Sequence, residues 1–134
     1  MRKKRDRSPG GLTDSAAVLP VDNLAATLEF YEEKLGFKAV YTYGDPPHYA
    51  ILMRDEVSIH MAEREDTTTE IQPCSVYIYV TDVDAIYKEY KSKKLEMFLP
   101  PEDQGYGMRE FEVPDINGHF LTFGQRISRA GGPS

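Results

Sequence analysis

The residues of this chain that could do chemistry are rings and acids more than nucleophiles or metal ligands. It carries nine tyrosines and six phenylalanines, no tryptophan, three histidines and a single cysteine. The histidines, His48, His60 and His119, stand singly, without the spacing of a zinc site. There is no nucleophile elbow and no phosphate-cradling glycine-rich loop. Glu110 and Glu112 sit two apart on one strand face, where general acid–base chemistry could use them; a solvated strand face explains them more simply. Cys74 has no second cysteine to bond, which excludes an internal disulfide and fits a reducing cytosol, so it reads as a small buried apolar residue. Tyrosine offers something else, a stacking surface with a polar tip.

These groups must be positioned by strands and two helices. Ser15 to Val21 is a short apolar run, and Asn23 caps a helical pattern carrying Leu24, Leu28, Tyr31 and Leu35 on one face. Gly36 ends it. Phe37–Tyr43, Tyr49–Met53 and Val57–Ala62 are rich in β-formers, with breaks at Gly44–Pro47 and at Arg54-Asp55-Glu56. The pattern then restarts: a strand over Ser75–Val80, a cap at Asp82, and a helix with Val83, Ile86, Tyr87 and Tyr90 on its face. A short strand is expected at Glu96–Leu99 and a loop at Pro100–Gly105. A hairpin should then join Met108–Val113 to His119–Phe123 through Asp115-Ile116-Asn117-Gly118. Val21, Leu24, Leu28 and Tyr31 recur 59 residues later as Val80, Val83, Tyr87 and Tyr90. One unit is thus used twice, as strand–helix–three strands, and paired units leave a concavity between them.

Alternation assigns the strand faces. Val76, Ile78 and Val80, Leu121 and Phe123, and Val57, Ile59 and Met61 point to the helices. Ser75, Tyr77 and Tyr79, Phe120 and Thr122, and Ser58, His60 and Ala62 point the other way. Rings, hydroxyls and a histidine on that second face suit either a ligand or a further packing layer such as a dimer interface.

Forty per cent hydrophobic and 28% charged residues in a chain of 134 fit one soluble domain with a sizeable core. Residues 1–10 contribute a charge of +4 and residues 125–134 add +2, which leaves −12 on residues 11–124. A folded part so acidic repels nucleic acid and attracts cations. The start lacks the apolar stretch of a secretory signal and no run is long enough to span a membrane, so the expected location is cytoplasmic. Residues 1–13 read as a disordered basic tail, 14–125 as the single domain with modules near 14–63 and 73–125, and 126–134 as a flexible C-terminal tail.

The doubled unit, the helix end Leu35-Gly36-Phe37 and the segment Tyr106–Gly124, with Arg109-Glu110-Phe111, the Asp115–Gly118 turn and the closing Phe123, resemble the glyoxalase/bleomycin-resistance/extradiol-dioxygenase (vicinal oxygen chelate) superfamily. The likeness spans roughly residues 15–125 and is strongest to the bleomycin-resistance branch. It implies an α+β fold of two βαβββ modules forming a curved mixed sheet around a cleft. It also implies where a metal would sit: the superfamily's metal enzymes use four side chains, which here match Ala16, Ser58 or His60, Ser75 and Thr122. Only His60 is an ordinary ligand, so no metal and no cofactor are expected.

In drug-sequestering relatives a homodimer forms two clefts in which rings sandwich a flat cationic compound. The matching positions here are Tyr41 and Tyr49 in the first half and Tyr77 and Tyr106 in the second, beside His60. The alternation adds Tyr79 and Phe120. Positions 77 and 106 are usually tryptophan in such relatives, and tyrosine stacks less strongly. Arg109, the cation of the most distinctive segment, is expected to pair with a carboxylate across its hairpin. The resemblance therefore implies a metal-free, homodimeric small-molecule binding protein with no nucleic-acid or membrane partner. The rival readings are a lyase or dioxygenase with an altered metal site and a module that serves only dimerisation.

Overall fold

The two caps set the two helices. The computed structural model describes residues 7–96 and 99–127. In it Asn23 is extended and its side chain accepts the Ala26 N–H at 3.0 Å, starting α1 (Leu24–Glu33). Asp82 does the same for the Ala85 N–H at 3.1 Å and starts α2 (Val83–Ser92). Past α1 the Phe37 N–H returns to the Tyr31 carbonyl, a reversal that Gly36 permits by adopting φ +77°.

Each helix lies on its own four-stranded mixed sheet. The first sheet has the order β1-β4-β3-β2, from β1 (Ala17–Val21), β2 (Lys38–Tyr43), β3 (Tyr49–Arg54) and β4 (Val57–Glu63). The second has the order β5-β8-β7-β6, from β5 (Ser75–Tyr79), β6 (Glu102–Asp103), β7 (Met108–Pro114) and β8 (Phe120–Arg126). The order is the same in both: the module's first strand runs parallel to its last, and the remaining pairs are antiparallel. The expected α+β class with two βαβββ modules holds, and the curved sheet is divided into these two halves.

The modules join through their helix-bearing faces into one core. Leu19, Leu52, Ile59 and Met61 from the first pack in the same cluster as Ile78, Phe111, Leu121 and Phe123 from the second. The repeated tyrosines cross the join. Tyr31 Oη donates to Asp115 at 2.8 Å, and Tyr90 Oη donates to the Leu35 carbonyl at 2.9 Å. Both rings are fully buried, and burial gives each hydroxyl a pKa above the ordinary phenolic value.

Two details differ from the expectation. The second strand of the second module is at Glu102–Asp103, inside the stretch read as loop, because its two residues pair with Glu110 and Arg109 of β7. Cys74 is partly buried rather than fully so. Met97 and Phe98, within the stretch read as strand, lie outside the described residues, as do residues 1–6 and 128–134 of the expected tails.

Candidate functional site

Strand alternation sends one side of every strand to the core, and the opposite side of each sheet is where the tyrosines collect. On the second sheet, Tyr77 pairs with Thr122, which pairs with Glu112; Tyr79 pairs with Gly124, which pairs with Glu110. Tyr77 lies diagonally over Gly124 and its hydroxyl donates to Glu110 Oε2 at 2.5 Å. A Cβ on residue 124 would collide with Oη and Cζ of Tyr77, so this crossing requires glycine. Tyr106, on the turn between β6 and β7, donates its hydroxyl to Glu110 Oε1 at 2.5 Å.

One carboxylate thus receives two phenols. Burial and then the bond to Glu110 raise the pKa of Tyr77; for Tyr106 the bond to Glu110 is the main cause of its rise. Both phenols therefore stay protonated as donors, and Glu110 is their shared acceptor. The Tyr77 and Tyr79 rings lie 5.1 Å apart and tilted, and the Arg126 guanidinium sits 5.4 Å over Tyr79. These rings are open to solvent, Tyr77 at 40%, Tyr79 at 64% and Tyr106 at 63% exposure. Phe120 shares this face, opposite Ser75 and Pro114, and is half-buried.

Behind that face Arg109 fixes the scaffold. Its guanidinium binds Asp84 of α2 at 3.0 Å and Asp103 of β6 at 3.0 Å, and the bonds to these carboxylates raise its pKa further. Arg109 thereby steadies the β6–β7 hairpin that carries Tyr106; its partners stand on α2 and β6 rather than across the β7–β8 hairpin, where one was expected.

On the first sheet, Tyr49 Oη and His60 Nδ1 hydrogen-bond at 2.7 Å, with their rings 5.7 Å apart and perpendicular. Register places Tyr41 opposite Ile51 and Tyr43 opposite Tyr49, on the same outward face as His60. Tyr41 and Tyr43 are more than half exposed. The expected residues therefore fall in two groups, Tyr41, Tyr49 and His60 on one sheet and Tyr77, Tyr79, Tyr106 and Phe120 on the other. Among the described residues, no hydrogen bond or ring contact joins Tyr49 and His60 to Tyr77, Tyr79 and Tyr106.

The donor set is a poor match to the metal that the fold's catalytic members hold. Ala16 has no donor atom, Ser75 and Thr122 offer hydroxyls, and His60 Nδ1 is engaged by Tyr49. Among the described residues, no three His, Cys, Asp or Glu side chains come together so as to hold an ion. These residues do not fit a divalent cation. His119 is structural: its Nδ1 accepts the Cys74 N–H at 2.9 Å, which leaves Nε2 to donate to the Pro20 carbonyl at 2.8 Å.

Glu110, Gly124 and Tyr43 are not among the residues expected from the sequence, in which Glu110 reads as part of a solvated strand face. The signal was available in the alternation of β7, which puts Glu110 and Glu112 on the side of Tyr77, and in a glycine directly after the ring-bearing run Phe120–Phe123 of the last strand.

Residues 15–123 match the family described as the glyoxalase/bleomycin resistance protein/dioxygenase superfamily. The bleomycin resistance protein of Geobacillus stearothermophilus is 28% identical over 135 residues, covering 87% of this chain and 98% of that protein. Among solved structures, a bleomycin resistance determinant encoded on the transposon Tn5 superposes with a TM-score of 0.75 at 22% identity, over 86% of this chain and 98% of its own. A bleomycin-binding protein complexed with bleomycin superposes with a TM-score of 0.72 at 22% identity, over 86% of this chain and 99% of its own.

Proposed function

The chain belongs to the glyoxalase/bleomycin resistance protein/dioxygenase superfamily, and from that premise we propose that it is a cytoplasmic small-molecule binding protein that sequesters a flat aromatic or cationic compound without metal chemistry. The observation that carries this reading is the outward face of the second sheet, where two solvent-open tyrosines share one carboxylate. Rings stack on a flat ligand, each good pair contributing about 0.5–1.5 kcal/mol beyond area burial. Glu110, held between two phenols, presents negative charge to whatever cation lies over them, and cation–π attraction adds about 0.5–2 kcal/mol depending on desolvation. The relatives named for bleomycin resistance and bleomycin binding support the same class of ligand.

In this reading the protein works as a homodimer. A single chain leaves Tyr41, Tyr43, Tyr77, Tyr79 and Tyr106 facing water on two separate sheets. Such apolar faces on a folded chain call for a partner. Two copies related by a two-fold axis would bring the first sheet of one chain against the second sheet of the other, so that Tyr41, Tyr49 and His60 face Tyr77, Tyr79, Tyr106 and Phe120 across each of two clefts. The donor set supports binding over metal-dependent turnover: an alanine, hydroxyls and at most the one imidazole of His60 stand where a Lewis-acid centre needs several imidazoles and carboxylates.

Calorimetric titration with bleomycin tests the proposal. The expected result is saturable binding at micromolar concentration, weakened about tenfold or more in Tyr77→Ala and in Tyr106→Ala. Absence of heat at sub-millimolar drug would remove this drug class from the proposal. Stoichiometric metal in the purified protein would overturn its metal-free part.

A further inference from the structure

The two modules repeat each other, but one corner of the repeat is filled and its counterpart is open. In the second module the β7–β8 hairpin closes over the first turns of α1. Asp115 accepts from Tyr31, Asn117 Nδ2 donates to Thr27 Oγ1 at 3.1 Å, and the fully buried His119 ties down Pro20. Register places Arg54 and Val57 of the first module where Asp115 and His119 stand in the second, each pair closing its hairpin. The 59-residue offset places Ile86 where Thr27 stands.

The first hairpin is shorter, with only Asp55 and Glu56 between those two positions in place of Ile116, Asn117 and Gly118. Its Arg54 grips Glu89 at 2.9 Å with both terminal guanidinium nitrogens and also reaches the Leu35 carbonyl at 3.0 Å and Tyr90 Oη at 3.5 Å, but it leaves the Ile86 side of the corner uncovered. Among the described residues no hydrogen bond reaches Ile86 from this turn. What remains is a cleft of about 310 Å³ floored by Phe37, Ile78, Tyr90 and Phe123 and walled by Val57 and Ile86. Its volume is at the lower end of small-ligand sites, about 300–1,000 Å³.

We infer that this cleft is a second ligand site, separate from the tyrosine faces, and that it takes a compact hydrophobic amine. The apolar floor selects the body of the ligand. The mouth selects its charge: Asp55, Glu56 and Asp82 line it, and Arg54, the cation beside them, is already neutralised by Glu89. An ammonium at the mouth is attracted and a carboxylate repelled. A ligand large enough to span the tyrosine face does not fit the volume, so the two sites take ligands of different size. Tyr79 borders both, but Val57, Ile78 and Ile86 belong to the cleft side.

Methyl-resolved NMR of the full chain, titrated with 2-phenylethylamine, reads this cleft directly. The expected result is saturable shifts of the Val57, Ile78 and Ile86 methyls, with 2-phenylethanol binding about threefold or more weakly and phenylacetate not at all. The exposed-turn double variant Asp55→Asn/Glu56→Gln should erase the preference for amine over alcohol. Asparagine tolerates the φ of +52° at position 55, so the turn is retained. Ala85→Trp, at an exposed lining position, should abolish the shifts while the thermal midpoint is kept; if that variant does not fold, the turn variant carries the test. Equal binding of amine and alcohol, or no saturable shift at these methyls, would overturn the inference. Because the readout lies away from Tyr77 and Tyr106, either result stands whether or not bleomycin binds the tyrosine face.

Discussion

Glu110 and Gly124 are the residues on which the proposed binding face turns. Glu110→Gln keeps the shape but replaces a charged acceptor of two phenols by a neutral one. The expected effect on a cationic ligand is a loss of about tenfold, roughly the 1.4 kcal/mol between a charged and a neutral hydrogen bond. The pKa of Tyr77 and Tyr106 should fall toward ordinary phenol values, since Glu110 contributes to raising both; tyrosinate absorbance against pH checks this. Gly124→Ala should displace the Tyr77 ring and weaken ligand binding at least as much as Tyr77→Ala, read by the same calorimetry. The tyrosines themselves were legible from period-two alternation. Their convergence on Glu110 was not, because it depends on a diagonal contact across a strand whose register the sequence leaves open.

The helices and hairpins carry the stability predictions. Asn23→Ala and Asp82→Ala each remove a cap and should cost about 1 kcal/mol in urea denaturation, nearly additively because they cap different helices. Tyr31→Phe leaves one oxygen of Asp115 without its buried donor and should cost about 1–2 kcal/mol. It also tests a pH dependence. The folded-state pKa of Tyr31 and Tyr90 is raised, mainly by burial, so their contribution is complete below the unfolded value of about 10 and is lost as pH rises above it. Thermal midpoints should therefore drop on going from pH 8 to pH 11, and drop less in Tyr31→Phe. At this scale the sequence was informative: among the described residues, both caps, both helices and seven of the eight strands fall where propensity and spacing put them. The exception, β6, is two charged residues long, carries no apolar alternation of its own, and exists only because β7 offers it an edge.

For the whole molecule, the 59-residue echo predicted a doubled unit, and the doubling is real in sheet order and in the reciprocal tyrosines. What sequence could not convey is which faces meet. The helix-bearing faces are joined within one chain and the tyrosine faces are turned outward, so the tyrosine-lined cleft of the proposed function needs two chains, apart from the smaller cleft that lies between the modules of one. Sedimentation should accordingly give a particle of twice 15.2 kDa. Affinity for a cationic ligand should fall with added salt, because the charge of −12 on residues 11–124 acts over a Debye length of about 10 Å at 0.1 M. The most direct measurement is a crystal structure grown with bleomycin. The account predicts the flat part of the drug lying against Tyr77 and Tyr106, with a positive group beside Glu110. Drug density elsewhere with that face bare, or the face filled by the partner chain's own side chains, would contradict it.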